Sequence, residues 1–201
     1  MSLLARPLTA RGRLLRCLAP ALVLSVLCGP PSAFAADVPA VRRTQEYDLK
    51  AVFLYQFAHF VEWPARTFPN QQIPITIRVQ GEDPCGGGLD EIVANEAVGG
   101  RKLIVRRYRT VDQVDTCHVL FICASEAGRM IPILARLKGR SVLTVGETQD
   151  FVAQNGIVGF TVARNRLKLR INLAAADTAR LTISSKLLRQ AEIVHPQRGQ
   201  G

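Results

Sequence analysis

Residues 47–68 read YDLKAVFLYQFAHFVEWPARTF, and the reading of this stretch decides the fold. Stepping 100° per residue from Asp48 puts Asp48, Gln56, His59 and Glu62 in one narrow stripe, with Lys50 alone on the far side. The remaining circumference is apolar: Tyr47, Leu49, Ala51, Val52, Phe53, Leu54, Tyr55, Phe57, Phe60 and Val61. That is more apolar surface than a helix needs to rest on one face of a sheet. The pattern therefore predicts a helix gripped from more than one side, either central to the domain or part of an interface. Thr44 is placed to cap its start and Glu46 to put an acid in the first turn. Pro64 disfavours helical geometry at Trp63, so the chain turns at Glu62-Trp63-Pro64 and presents an indole there. Charges at Asp48, Lys50 and Glu62 break the run of about 18 apolar residues that a membrane span requires.

Behind this helix the pattern changes to short β-branched runs separated by helical segments. Strands are predicted over 75–80, 102–107, 119–122 and 142–145, with helices over 89–95 and 126–138 and a short one over 148–154. Residues 157–162 and 167–172 read as a hairpin around Arg164-Asn165-Arg166, followed by helices over 174–180 and 183–193. The alternation predicts a single α/β domain: a mostly parallel sheet covered by helices on both faces, with an antiparallel hairpin at one edge.

Ahead of the helix, residues 1–35 read as a secretory leader. Arg6, Arg11, Arg13 and Arg16 form a basic start without an acid, Leu18 to Leu27 is a short apolar run, and Ala33-Phe34-Ala35 is a small-x-small cleavage site. Cleavage after Ala35 leaves residues 36–201 as one exported domain and lowers the net charge from +10 by the four arginines removed. Arg106-Arg107-Tyr108-Arg109 is the densest basic run, and it reads as a solvated strand end rather than a nucleic-acid platform, which would interleave aromatic and basic residues.

Three cysteines follow the leader: Cys85, Cys117 and Cys123. Export permits a disulfide. Cys117 and Cys123 bracket one predicted strand and stand roughly 20 Å apart at about 3.3 Å per residue, too far to pair. A bridge must then include Cys85, with Cys123 ahead of Cys117 as its partner and the absence of a bridge as the third possibility. Its role would be structural, since no Cys-x-x-Cys is present.

The search for chemistry is short. Cys85-Gly86-Gly87-Gly88 follows a strand and opens a helix, where a glycine loop could cradle phosphate, yet it has neither the Gly-Lys-Ser/Thr nor the G-x-G-x-x-G pattern. His59, His118 and His195 share no metal-ligand spacing, and adjacent Cys117 and His118 point to opposite faces of a strand. Ser125 lacks the glycines of a nucleophile elbow, and Ser184 is explained as a helix N-cap. Glu147, after Thr144-Val145-Gly146, falls at a strand's carboxyl end, where open α/β sheets collect ligands. Catalytic residues, metal ligands and cofactors are thus not expected. Trp63, Arg66, Phe68, Glu147 and Ser184 remain as candidates for a partner or ligand surface.

A set of ordered motifs runs through nearly the whole of 36–201: KAVFLYQF (50–57), FVEWP (60–64), GEDP (81–84), CHVLFI (117–122), VLTVGE (142–147), INL (171–173) and ISSKLL (183–188). Together they resemble the YfiR family of periplasmic proteins. The resemblance implies a small α/β negative regulator that can dimerise. It would bind the periplasmic part of a YfiN-type inner-membrane diguanylate cyclase and repress cyclic-di-GMP synthesis. An OmpA-like outer-membrane lipoprotein of the YfiB type would sequester it. The resemblance also implies a bridge from the position of Cys117 into the first strand, where this chain has Ile75-Thr76-Ile77-Arg78-Val79 and no cysteine. The bridge is therefore either rewired through Cys85 or missing at Cys117. The alternative function, from a different class, is a periplasmic small-molecule sensor holding its ligand near Glu147 and the glycine loop and signalling to another membrane receiver.

Overall fold

The computed structural model describes residues 38–108 and 117–195, with side chains from Arg43 onward. The expected leader and its cleavage site lie outside the described residues. Helix α1 (Val38–Phe60) leads into a two-residue strand β1 (Val61–Glu62) and a 3-10 turn at Ala65–Thr67. Then come β2 (Ile75–Gln80), α2 (Gly88–Val93), β3 (Ala97–Val98), β4 (Arg101–Tyr108) and β5 (Val119–Ile122). A 3-10 segment (Ala124–Arg129) runs into α3 (Met130–Leu137), followed by β6 (Leu143–Gly146), β7 (Val158–Ala163) and β8 (Arg166–Asn172). The chain closes with α4 (Leu173–Thr178), β9 (Thr182–Ile183), α5 (Ser185–Leu188) and β10 (Ala191–Val194).

Eight strands form one sheet in the order β10-β8-β7-β6-β5-β2-β4-β3, while β1 and β9 make a separate antiparallel pair. The centre is parallel, β2 lying between β4 and β5 and β5 beside β6. Every residue of β2, β5 and β6 is buried, as expected of parallel strands covered on both faces. The β7–β8 hairpin is antiparallel and turns on Arg164 and Asn165, both with φ near +55°, the backbone of a tight type I′ turn.

Two apolar clusters lie on opposite sides of the sheet. The larger takes Ala51, Leu54, Phe57 and Ala58 from α1, Leu89 and Val93 from α2, and Ile75, Ile77 and Val79 from β2. The smaller packs Met130, Ile133, Leu134 and Leu137 of α3 over Leu120, Ile122 and Phe151. The expected α/β architecture is therefore present.

Several local expectations need correction. Helix α1 already includes Val38, so Thr44 is inside it and Glu46 is not in its first turn. Glu46 instead pairs with Lys50 one turn on, at 2.6 Å. Residues 148–154 form consecutive turns, not a helix, because Phe151 is drawn fully into the smaller cluster. Residues 183–193 are not one helix but β9, α5 and β10, and β10 pairs parallel with β8 as the outermost strand. The hairpin is consequently one strand in from the sheet edge.

The apolar circumference of α1 is mostly consumed within the domain. Phe53 stacks with Phe57 at 6.3 Å and packs on Phe160 at 6.1 Å, and the Tyr55 hydroxyl donates to Glu96 at 3.0 Å. Leu49 is the one large apolar residue of α1's described part left exposed, at 43%. The helix is thus gripped from several sides, with Asp48, His59 and Glu62 of the polar stripe facing solvent. No helix among the described residues is long and apolar enough to cross a membrane.

Candidate functional site

The carboxyl ends of β2, β5 and β6 meet α1 at one point, and the residue that the helical wheel isolated stands at its centre. Lys50 is fully buried; its Nζ lies 2.6 Å from Glu147 Oε2 and 2.6 Å from Glu46 Oε1. The ammonium also sits 4.3 Å from the centre of the Tyr47 ring. The other oxygen of Glu147, Oε1, accepts from the backbone N–H of Ala124 at 2.7 Å, directly after β5. Burial pushes the Lys50 pKa down, but its hydrogen bonds to Glu147 and Glu46 outweigh this and leave it above 10.5. Tyr47 is held above its usual 10.0 by burial and by the charge of Glu147.

This arrangement is a pin rather than a pocket. Glu147 protrudes from the end of β6 because Gly146 closes the strand beneath it, and a Cβ on Gly146 would fall 2.2 Å from the ring of Phe151. Lys50 reaches it from α1, so one buried ion pair joins the helix to the sheet. Both oxygens of Glu147 are engaged and the side chain is only 5% exposed, so the carboxylate is turned to the fold rather than to a ligand.

The glycine loop beside it is closed as well. Arg107, from β4, donates to Asp83 at 2.6 Å, to Asp90 on α2, and to the carbonyl of Gly86 at 2.6 Å. Asp83 in turn accepts from Cys85 N at 2.8 Å. Asp90 holds its carboxyl below the usual range through the Arg107 bonds. Two acids already occupy the one guanidinium at this loop, the reverse of a phosphate cradle.

Among the described residues no disulfide is present: Cys85, Cys117 and Cys123 are free thiols. Cys85 and Cys123 do share the carboxyl edge and the larger cluster, but the Cys85 thiol is turned to the Tyr47 carbonyl at 3.7 Å and the two are not bonded. Cys117 belongs to the opposite side of the sheet, with its thiol 3.1 Å from the Val119 carbonyl, so the Cys85–Cys117 alternative is excluded by topology. Burial pushes the thiols of Cys85 and Cys117 up to about 12, and that of Cys123 up as well. None is an activated nucleophile.

Trp63 and Phe68 lie at the opposite, amino edge. The indole N–H donates to the carbonyl of His118 at 3.3 Å, and the Phe68 ring stacks on the His118 imidazole at 4.6 Å with the planes 5° apart. Arg101 covers the outer face of Phe68 at 4.2 Å and caps the 70–73 loop by donating to the carbonyls of Asn70 and Ile73. His118 Nδ1 accepts from Thr76 N at 3.0 Å, and burial together with the Arg101 charge lowers its pKa to about 4. The half-buried indole is therefore turned inward as a brace, while Arg66 is exposed. Ser184 caps α5, its hydroxyl accepting from Lys186 N at 3.3 Å, and its own N–H donates to Phe60 O at the end of α1. The five candidate residues thus fall at three places: Glu147 at one edge, Trp63, Arg66 and Phe68 at the other, and Ser184 behind the end of α1. Sequence reading missed Lys50 and Arg107, although each carried a signal, Lys50 as the one charge on an apolar arc and Arg107 inside the basic run.

Among the described residues no group of three or more His, Cys, Asp or Glu could hold a metal ion. The described residues thus form an α/β scaffold whose charged and aromatic groups serve as pins, braces and caps. The family model described as YfiR/HmsC-like, DUF4154, matches residues 47–192, and the chain belongs to that family. The family is one of non-catalytic regulatory domains, and membership supports a regulatory role in the periplasm. A search of curated proteins returns no match. Among solved structures, one titled as a conserved domain protein from Vibrio cholerae O1 biovar El Tor is 14% identical, with a TM-score of 0.42. The likeness covers 59% of this chain and 54% of that protein, so the chain spans about half of its length.

Proposed function

We propose that residues 36–201 act in the periplasm as a regulatory binding module. Exported by the 1–35 leader, it occupies one conformation of the extracytoplasmic domain of an inner-membrane diguanylate cyclase of the YfiN type, and so lowers cyclic-di-GMP synthesis. The observation that carries this reading is the family match across 47–192. The site geometry agrees with it: the buried Lys50–Glu147 pair spends its charge on fixing α1 to the sheet, as a recognition scaffold requires. Moving a two-state receptor from mostly active to mostly inactive takes about 5 kcal/mol of preference for one state, within reach of an interface of standard size. The contact surface is proposed to include exposed Leu49 and Arg66, and homodimerisation and capture by an OmpA-like lipoprotein of the YfiB type belong to the same proposal.

The test is affinity capture with the tagged 36–201 chain on detergent-solubilised envelope. Specific enrichment of a membrane cyclase with an extracytoplasmic domain, reduced by Leu49→Glu, is the expected result. Capture that never yields a cyclase overturns the reading.

A further inference from the structure

A second feature lies away from both sheet edges already described, on the α3 side. A cavity of about 500 Å³ opens between α3, α4 and the 148–156 turns, above the start of β6 and the residue before β7. Its volume is within the range of small-molecule sites, roughly 300–1,000 Å³. The walls are mainly apolar, with Leu134, Val142 and Ile157 inside and Ala135 at the mouth. On its rim Ile131 is 65% exposed, one of three large apolar side chains so exposed among the described residues. Small alanines on α4 leave the space open where larger residues would fill it.

One polar observation points to what such a space would hold. Gln154 belongs to the wall, and its Oε1 is buried without a hydrogen-bond partner. A buried acceptor left unmatched is costly, and a ligand that brings an N–H or O–H recovers that cost. Of its polar neighbours, the two hydroxyls are already engaged, Thr144 Oγ1 accepting from Ile157 N at 3.0 Å and Thr178 Oγ1 donating to Ala174 O at 2.8 Å, while Lys138 and Asn155 stand exposed at the rim. We infer that this cavity is a binding site for a small amphipathic molecule, an apolar body of two or so fused or linked rings carrying one N–H or O–H donor directed at Gln154. The site is independent of the cyclase reading and stands or falls separately from it.

The probe is N-phenyl-1-naphthylamine, a neutral dye with an apolar ring system and a single N–H. Titrated into the 36–201 protein, it is expected to bind at one site with a blue-shifted emission, and to shift the amide resonances of Gly139, Asn155 and Ala175. Ala135→Trp, at an exposed position on α3, closes the mouth and is expected to weaken binding at least tenfold with the melting temperature of the free protein unchanged. Thr178→Trp, exposed on α4, closes the same mouth from the other side and serves if the first variant fails to fold. Gln154→Leu removes the acceptor; it is expected to weaken the dye about fivefold while raising the melting temperature of the free protein, a pairing that a merely structural glutamine would not give. The inference is overturned if the dye does not bind, or if it binds the Trp variants as tightly as the parent. It is equally overturned if its amide shifts map to the Leu49 surface or to contacts with a second copy of the chain.

Discussion

Replacing Lys50 by methionine removes the cation from a buried site and leaves Glu147, and at the rim Glu46, without it. The Lys50 and Glu147 side chains are 4% and 5% exposed, so solvent screens their attraction weakly and cannot hydrate the Glu147 carboxylate left behind. Removing one partner of such a pair costs about 3–5 kcal/mol, most of it the penalty of an unpaired buried charge. Glu147 keeps its bond from Ala124 N, which places the expected loss near the lower end, about 3 kcal/mol. Urea denaturation of Lys50→Met against the parent measures it. The double variant Lys50→Met/Glu147→Gln keeps the Ala124 bond and removes the buried charge pair, leaving only Glu46, which is 31% exposed and hydrated, and is expected to recover to within about 1 kcal/mol of the parent. The same pair dictates an alkaline transition. Lys50 has a native pKa above 10.5, so its contribution is fully present below 10.5 and is lost as the pH rises through the native value. Tyr47, also raised, loses its contribution in the same window, and Lys50→Met isolates the lysine's share. A loss under about 1 kcal/mol in Lys50→Met, or a double variant whose losses simply add, would refute the pin.

Three further outcomes follow from the geometry. Burial lowers the His118 pKa to about 4 in the folded chain against 6.5 unfolded, so its contribution is present above pH 6.5 and falls away towards pH 4; the unfolding free energy from urea titrations should drop by on the order of 2–3 kcal/mol across that interval, and less in His118→Gln. Gly146→Ala drives a methyl into the fully buried Phe151 ring and should cost about 3 kcal/mol in chemical denaturation, partly restored by adding Phe151→Leu. Ellman titration of the 36–201 protein should find three thiols in denaturant, and in the native state a slow reaction led by half-buried Cys85; a single thiol in denaturant would mean that a bridge forms.

The strands of the parallel centre were legible because fully buried strands read as unbroken β-branched runs, and 75–80 and 119–122 fall where the sequence puts them. The short elements were not. β1 and β9 have two residues each and exist through pairing with each other across more than 100 residues, which no local periodicity encodes, while the two-residue β3 is too short to show alternation although the Gly99-Gly100 turn joins it directly to β4. The run 183–193 has a helical spacing of apolar residues, yet Ile193 and Val194 gain more by extending the sheet beside β8 than by one more helical turn. The carboxyl-edge site was half legible. Glu147 was found from its place after a strand, while Lys50 looked like an outlier on a wheel because the partner that explains it is 97 residues away. The cysteine reading placed Cys85 and Cys123 at the right edge but could not see which way each thiol turns, and that depends on α1 packing over them. The circumference of α1 was read correctly as too apolar for one sheet face, and the structure answers it largely from within, through Phe160, α2 and the β1–β9 pair.

The central claim is that this scaffold exerts control by contact and makes no product of its own. Cyclic-di-GMP measured in cells lacking the chain tests it most directly, with the exported 36–201 protein supplied back and with the candidate cyclase deleted alongside. The account predicts a several-fold rise on loss of the chain, reversed by the exported protein and abolished without the cyclase. An unchanged level, or a rise that persists when the cyclase is gone, would contradict it.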